Sequence, residues 1–178
     1  TFFGRPSKLE GTLVPQAGFP LVDVEVTGFD RSRPWTALSS LYRVWSAKRD
    51  LARRFKKEGA PDVAIGFGAY VEVPLLGWCK ENHVPYLVHE QNSVPGLANK
   101  MMATAASKVC ISVPAARDVF EREGDPDHVV LTGNPVRRSV IAGDRARGRA
   151  ALGVPADATL LLVFGGSLGA RTLNEGMA

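Results

Sequence analysis

Short apolar runs recur along this chain with amphipathic or polar stretches between them, the pattern of strands alternating with helices. Leu21-Val22-Asp23-Val24-Glu25-Val26 alternates with period two and predicts a strand with one wet face. Residues 35–58 predict the longest helix. Leu38, Leu41, Trp45, Ala52 and Phe55 recur there at helical spacing among Arg and Lys, and Gly59-Ala60-Pro61 ends it. Further strands are expected at 62–65, 85–88, 108–112 and 129–131, with helices over 73–80, 97–106 and 115–122. Residues 142–158 are rich in Ala, Gly, Arg and Asp, as a linker or surface element would be. Thr159 to Phe164 is continuously apolar and predicts a buried strand. The whole reads as an α/β protein of Rossmann-like type, a parallel sheet with helices on both faces and right-handed crossovers. The run up to about residue 140 reads as one sheet, and the strand at 159–164 as the first of another.

Composition narrows this little. The 178 residues are 45% hydrophobic and 22% charged, ordinary for a globular protein, and 22 Lys+Arg against 18 Asp+Glu leave +4. That balance suits an anionic ligand or membrane surface without demanding either, and no feature suggests nucleic acid. Cys79 and Cys110 stand far apart with no CxxC spacing, and are expected to be buried thiols in a reducing compartment. The chain shows no run long enough to span a bilayer and no signal-peptide layout. It starts at Thr1-Phe2-Phe3-Gly4, which reads as a strand end, and stops at Met177-Ala178 inside a helical pattern, so a piece of a longer protein is expected.

Candidate chemistry sits at turns after strands, where open α/β sheets bind ligands. After the strand at 85–88 come His89-Glu90-Gln91-Asn92, then Ser93-Val94-Pro95-Gly96 and a helix. Glu90 or His89 could move a proton or hold a hydroxyl, Asn92 could fix an amide or hydroxyl, and Asn92 or Ser93 could equally be a simple cap. Gly66-Phe67-Gly68-Ala69-Tyr70 follows the strand at 62–65. Its glycines allow close backbone approach and its N–H groups could hold an anion, although a tight turn alone explains it. Gly165-Gly166-Ser167-Leu168-Gly169 fits a phosphate-cradling turn, and also fits the G-x-S-x-G nucleophile elbow of a serine hydrolase. The second reading lacks a following acid and His: His83, His89 and His128 all precede Ser167. Arg137 and Arg138, after Gly133-Asn134-Pro135, could pair with phosphate or simply be solvated.

Trp35, Leu38, Leu41, Tyr42 and Trp45 crowd the start of the long basic helix. They form either a core face or an interfacial patch whose aromatics dip into lipid beside Arg and Lys.

Taken together, His89-Glu90-Gln91-Asn92 with Pro95-Gly96-Leu97-Ala98-Asn99-Lys100, Gly133-Asn134-Pro135-Val136-Arg137, and Gly165-Gly166-Ser167-Leu168-Gly169-Ala170-Arg171 with Leu173-Asn174 resemble the MurG family of bacterial transferases, glycosyltransferase family 28. The resemblance implies the GT-B architecture. Residues 1–138 would be most of the N-terminal, acceptor- and membrane-binding domain, lacking its first strand and glycine loop, and residues 139–178 a linker and the start of the sugar-nucleotide domain. It implies an inverting, metal- and cofactor-independent transfer of N-acetylglucosamine from UDP-N-acetylglucosamine to the C4 hydroxyl of lipid I. That reaction makes lipid II for peptidoglycan at the cytoplasmic face of the plasma membrane, with the enzyme peripheral. Asn92, Arg137 and Ser167 match donor-contacting positions, and Gly66, Gly68 and Tyr70 a turn assigned to the acceptor diphosphate. Trp35, Leu38, Leu41 and Trp45 match the membrane-facing patch. The family's candidate base, a His in a Gly-Gly-Thr-Gly-Gly-His loop, has no counterpart, which leaves the catalytic residue unassigned and His89 and Glu90 as organisers. The family's turn usually reads Gly-Gly-Tyr-x-Ser-x-Pro, whereas Ala69, Glu72 and Val73 stand here. A serine hydrolase, a lipid-surface binding module and a GT-B enzyme with another lipid acceptor are the alternatives.

Overall fold

A computed structural model describes residues 1–26, 35–165 and 171–177. Two compact units divide the chain, Thr1–Asn134 and Pro135–Ala178.

In the first unit β1 (Phe2–Gly4), α1 (Glu10–Gln16), β2 (Leu21–Asp23), α2 (Thr36–Glu58) and β3 (Ala64–Gly66) are followed by α3 (Glu72–Glu81), β4 (Tyr86–Glu90), α4 (Leu97–Ala103), β5 (Lys108–Ile111), a 3₁₀ segment (Pro114–Val119) and β6 (Val129–Leu131). Every strand pairing is parallel. The strands form two sheets, β1-β2 and β3-β4-β5-β6, where one was expected. The chain passes from one sheet to the other through α2, and β2 and β3 do not pair. Both sheets still meet one core: Phe3 of β1, and Val24 and Val26 just after β2, pack with Leu51 and Phe55 of α2 in the cluster that holds Val88, Val109 and Ile111.

Length limits are equally physical. The period-two pattern of β2 continues inward to Val24 and Val26, but its partner β1 ends at Gly4, before Arg5 and the N–H-less Pro6, and Val24 N–H to Gly4 O (2.9 Å) is the last rung. The segment expected as a helix at 115–122 is instead the 3₁₀ run, opened by Pro114 and burying only Ala116, with Phe120 buried just after it. In β5, Val109 and Ile111 face the core while Lys108 and Cys110 take the other, half-covered face. Cys110 is therefore only partly buried, against expectation. Cys79 is fully buried, its thiol pushed up to about 11 by burial.

Helix α2 carries two apolar stripes on opposite sides. At about 100° per residue, Ser40, Val44, Ala47, Leu51 and Phe55 share one face, and Leu38, Leu41, Tyr42, Trp45 and Arg49 the other. Only the first faces the core, with the Phe55 and Trp78 rings 4.5 Å apart. The Gly59 N–H closes the helix on Phe55 O, at the positive φ of 91° that glycine tolerates.

In the second unit are α5 (Arg138–Ile141), α6 (Arg145–Ala151) and α7 (Arg171–Met177). Asp144 caps α6 by accepting the Arg147 N–H at 2.7 Å, and Arg149 packs inward to donate to Pro155 O. The buried strand expected at 159–164 is not formed. The segment has no regular structure and is exposed, Phe164 at 79%, because a strand apolar on both faces needs neighbours and cover, and the described residues offer it neither.

Candidate functional site

β4 runs between β3 and β5, so its C-terminal end opens in the middle of the larger sheet. His89 and Glu90 are buried there, and the chain then turns out to an exposed Asn92. Glu90 is 1% exposed and organises that turn. Its Oε1 accepts from the Asn92 backbone N–H and side-chain amide, each at 2.9 Å, and its Oε2 from the Gly96 N–H (3.0 Å) and Asn99 Nδ2 (2.8 Å). Burial opposes ionisation of this carboxyl, but the donors from Asn99, Asn92 and Gly96 outweigh it and hold the group below its ordinary range. One charge thus fixes both ends of the loop and the orientation of Asn92.

His89 has both ring nitrogens engaged, Nε2 with Gly133 O at 3.0 Å and Nδ1 with Gln91 Nε2 at 3.1 Å. The amide N–H of Gln91 donates to Nδ1, which assigns the proton to Nε2. Such a ring ties β4 to the chain after β6 and has no nitrogen left for a substrate proton. Gln91 also donates to Phe67 O at 3.1 Å, and the Phe67 ring lies 5.4 Å from that of His89, so the loop after β4 and the turn after β3 are built as one piece.

In that turn Gly66 is required: a Cβ would strike the Glu72 carboxylate and approach Leu76 Cδ1 to 2.6 Å. Gly68 and Ala69 take positive φ, 86° and 67°. The Gly68 N–H, a donor an anion would use, is already given to Glu72 Oε2 at 2.6 Å. Glu72 is 6% exposed at the start of α3, and its Oε1 has no partner. Burial, reinforced by the Glu90 charge and opposed by the Gly68 bond, raises this carboxyl to about 7. Of the two acids, Glu90 with four donors keeps its charge, whereas Glu72 with one donor exchanges its proton near neutrality. Tyr70 is half-buried against the core.

The other expected residues fall elsewhere. Trp35, Leu38, Leu41, Tyr42 and Trp45 are all exposed on the outer stripe of α2, Leu38 at 77%, and the Arg49 guanidinium sits 5.6 Å over the Trp45 ring. Asn134 accepts from Ser112 Oγ at 2.7 Å at the end of the first unit. Arg137 is exposed in the second unit at the N-terminus of α5. Ser167 lies outside the described residues. The structure therefore joins the residues after β3 with those after β4, and leaves Asn92 and Arg137 in separate units. Sequence reasoning missed Asn99, 2% exposed, whose Nδ2 also donates to His89 O at 3.2 Å. Its signal was a lone amide on the buried face of α4, in phase with Ala103 and Ala106.

A parallel α/β unit with polar residues gathered at its carboxyl strand ends is the build of a Rossmann-like transferase half, and comparison with known proteins gives it a family. The glycosyltransferase family 28 N-terminal domain matches residues 1–111, and the chain belongs to that family. Curated relatives called UDP-N-acetylglucosamine--N-acetylmuramyl-(pentapeptide) pyrophosphoryl-undecaprenol N-acetylglucosamine transferase are 36% identical in Parabacteroides distasonis (98% of this chain, 46% of the relative) and 36% in Acetivibrio thermocellus (99% and 47%). The crystal structure of Acinetobacter baumannii MurG superposes with a TM-score of 0.67 at 27% identity, over 98% of this chain and 46% of that one. The chain spans about half the length of the relatives it matches. Nothing in these comparisons supports the serine hydrolase alternative.

Proposed function

We propose that this chain belongs to an inverting transferase that moves N-acetylglucosamine from UDP-N-acetylglucosamine to the C4 hydroxyl of the muramyl sugar in lipid I, yielding lipid II. Residues 1–138 supply the acceptor- and membrane-facing part, and residues 139–178 begin the donor part. The observation that carries the reading is the Glu90-held loop, which spends a buried carboxylate on presenting one exposed amide, Asn92, at a strand end.

In this reading Asn92, Arg137 and Ser167 contact the donor. The C4 hydroxyl attacks the anomeric carbon as the bond to UDP breaks; its proton passes to a base outside the groups assigned here, and helix N-termini and Arg137 meet the charge developing on UDP. His89 and Glu90 position the loop. Gly66, Gly68 and Tyr70 form the turn that takes the acceptor diphosphate. The outer stripe of α2 rests on anionic lipid at the cytoplasmic face of the membrane. Among the described residues no helix is long and apolar enough to cross a membrane.

The test is transfer from UDP-N-acetylglucosamine to a lipid I analogue by the gene product that carries these residues. Asn92→Ala is expected to lower kcat/KM by about tenfold or more, the size of one or two lost hydrogen bonds, with a modest fall in melting temperature because the Asn92 backbone N–H, Gly96 and Asn99 still serve Glu90. Wild-type gene product without transfer and without UDP-sugar binding would overturn the assignment.

A further inference from the structure

The β3–α3 turn already holds an anion of its own. The Glu72 carboxylate takes the Gly68 N–H at 2.6 Å and fills the space that Gly66 leaves by lacking a Cβ. Asn99 closes the other side, its Nδ2 3.4 Å from where a Gly68 Cβ would stand. Two buried acceptor atoms around Gly68 lack any donor, Glu72 Oε1 and Asn99 Oδ1. Side chains 94% and 98% buried do not leave acceptors unmet without cost, and the deficit is one of protons. The neighbouring groups have none to spare: on β4 Glu90 is itself a carboxylate and the Tyr86 O–H is given to Met102 O, and on α4 Asn99 Nδ2 is given to His89 O and Glu90 Oε2.

We propose that Glu72 is a positioning and specificity-determining residue of this turn, an internal anion that a diphosphate diester displaces from the Gly68 N–H only as Glu72 takes up a proton. The proposal rests on the assignment of the turn to the acceptor diphosphate. One N–H cannot serve a carboxylate and a phosphate oxygen together. An ionised Glu72 beside Glu90 would put two carboxylates against the incoming group in a poorly solvated place. With the proton added from solvent, Gly68 N–H turns to the phosphate oxygen, the neutral acid gains an O–H to donate, and the local charge rises by one. The carboxyl's position near 7 puts this exchange within the physiological range.

The decisive measurement is the affinity of the protein for a soluble dialkyl diphosphate, whose own charge is constant between pH 6 and 8, beside that for UDP-N-acetylglucosamine. For the wild type, the Kd for the dialkyl diphosphate is expected to rise as pH passes 7, approaching about tenfold per pH unit, the limit for uptake of one proton. Glu72→Gln, permanently neutral, should bind with the wild-type low-pH affinity at every pH, and UDP-N-acetylglucosamine should not distinguish the two proteins. Glu72→Ser, which empties the Gly68 N–H, should also be pH-independent and answers the question if the Gln variant folds poorly. Binding that is equally pH-independent in wild type and variants overturns the proton coupling and leaves the turn's assignment standing. An effect confined to UDP-N-acetylglucosamine overturns the acceptor assignment, and no diphosphate binding in any protein at any pH overturns both.

Discussion

Glu72 and Glu90 put opposite signs into the pH dependence of stability. The Glu72 carboxyl is raised in the folded chain from 4.5 to about 7, so its contribution is complete below its unfolded value and is lost as pH climbs through 7, by about 3 kcal/mol for a shift of that size. The Glu90 carboxyl is lowered, so its contribution is present above its unfolded value and is lost as pH falls through the folded one. Glu72→Gln should therefore remove a decline in melting temperature between about pH 5 and pH 8. Glu90→Gln should destabilise most at neutral pH, where four donors lose an ionised acceptor. Thermal melts from pH 4 to 8 on both variants check this, and parallel curves for wild type and Glu72→Gln would contradict the assignment of the proton. The resemblance already marked Glu90 as an organiser and Glu72 as a departure from the family turn, but neither the donors that hold Glu90 nor the burial of Glu72 was legible in the sequence. Whether a carboxylate faces out as a ligand or in as a scaffold depends on which N–H groups the fold brings to it, and the Glu90 donors come from Asn92, Gly96 and Asn99, set by the α4 start.

At the scale of elements, α2 shows what periodicity decides and what it leaves open. The helix was legible to within a residue, because its length, its Gly59-Ala60-Pro61 stop and its spacing agree. Which apolar stripe is buried was not, since Leu51 and Phe55 recur at the same spacing as Leu38 and Trp45, and only packing chooses between them. The structure gives the two stripes separate consequences. Leu51→Ala should cost about 2–5 kcal/mol of stability without changing adsorption to vesicles, because it empties a core position. Trp35→Ala with Trp45→Ala should leave the melt unchanged and weaken binding to anionic vesicles by about tenfold or more, the scale of one buried aromatic. Sedimentation with vesicles of phosphatidylglycerol, compared with zwitterionic ones and at high salt, reads that stripe. Equal vesicle binding by wild type and the double variant would remove the membrane role proposed for it. The elements that pattern misjudged, the shortened β2 and the unformed strand at 159–164, share one cause: a strand exists only where a partner does, and the partner is not written in the strand's own residues.

For the whole molecule, the distribution of buried apolar side chains says where cooperativity resides. Every member of the main core, from Val24 to Val129, belongs to Thr1–Asn134. In the second unit the large apolar side chains of Leu160, Leu161, Leu162, Val163 and Phe164 are all exposed and none belongs to the buried core. Even the His89 tie ends at Gly133, and the Ser112 tie at Asn134, inside the first unit. A chain of residues 1–134 should therefore unfold as cooperatively as the 178-residue chain, with a midpoint within a few degrees of it. It should also be more soluble, because removing 135–178 removes an exposed run of five large apolar residues. Differential scanning calorimetry of the two chains, with light scattering after heating, tests both statements. A large fall in the midpoint for 1–134 would mean that residues beyond Asn134 brace the sheet, contrary to the core as it is built. A retained midpoint with reduced scattering would locate cooperative folding in the first unit and show that 135–178 adds no stability to it.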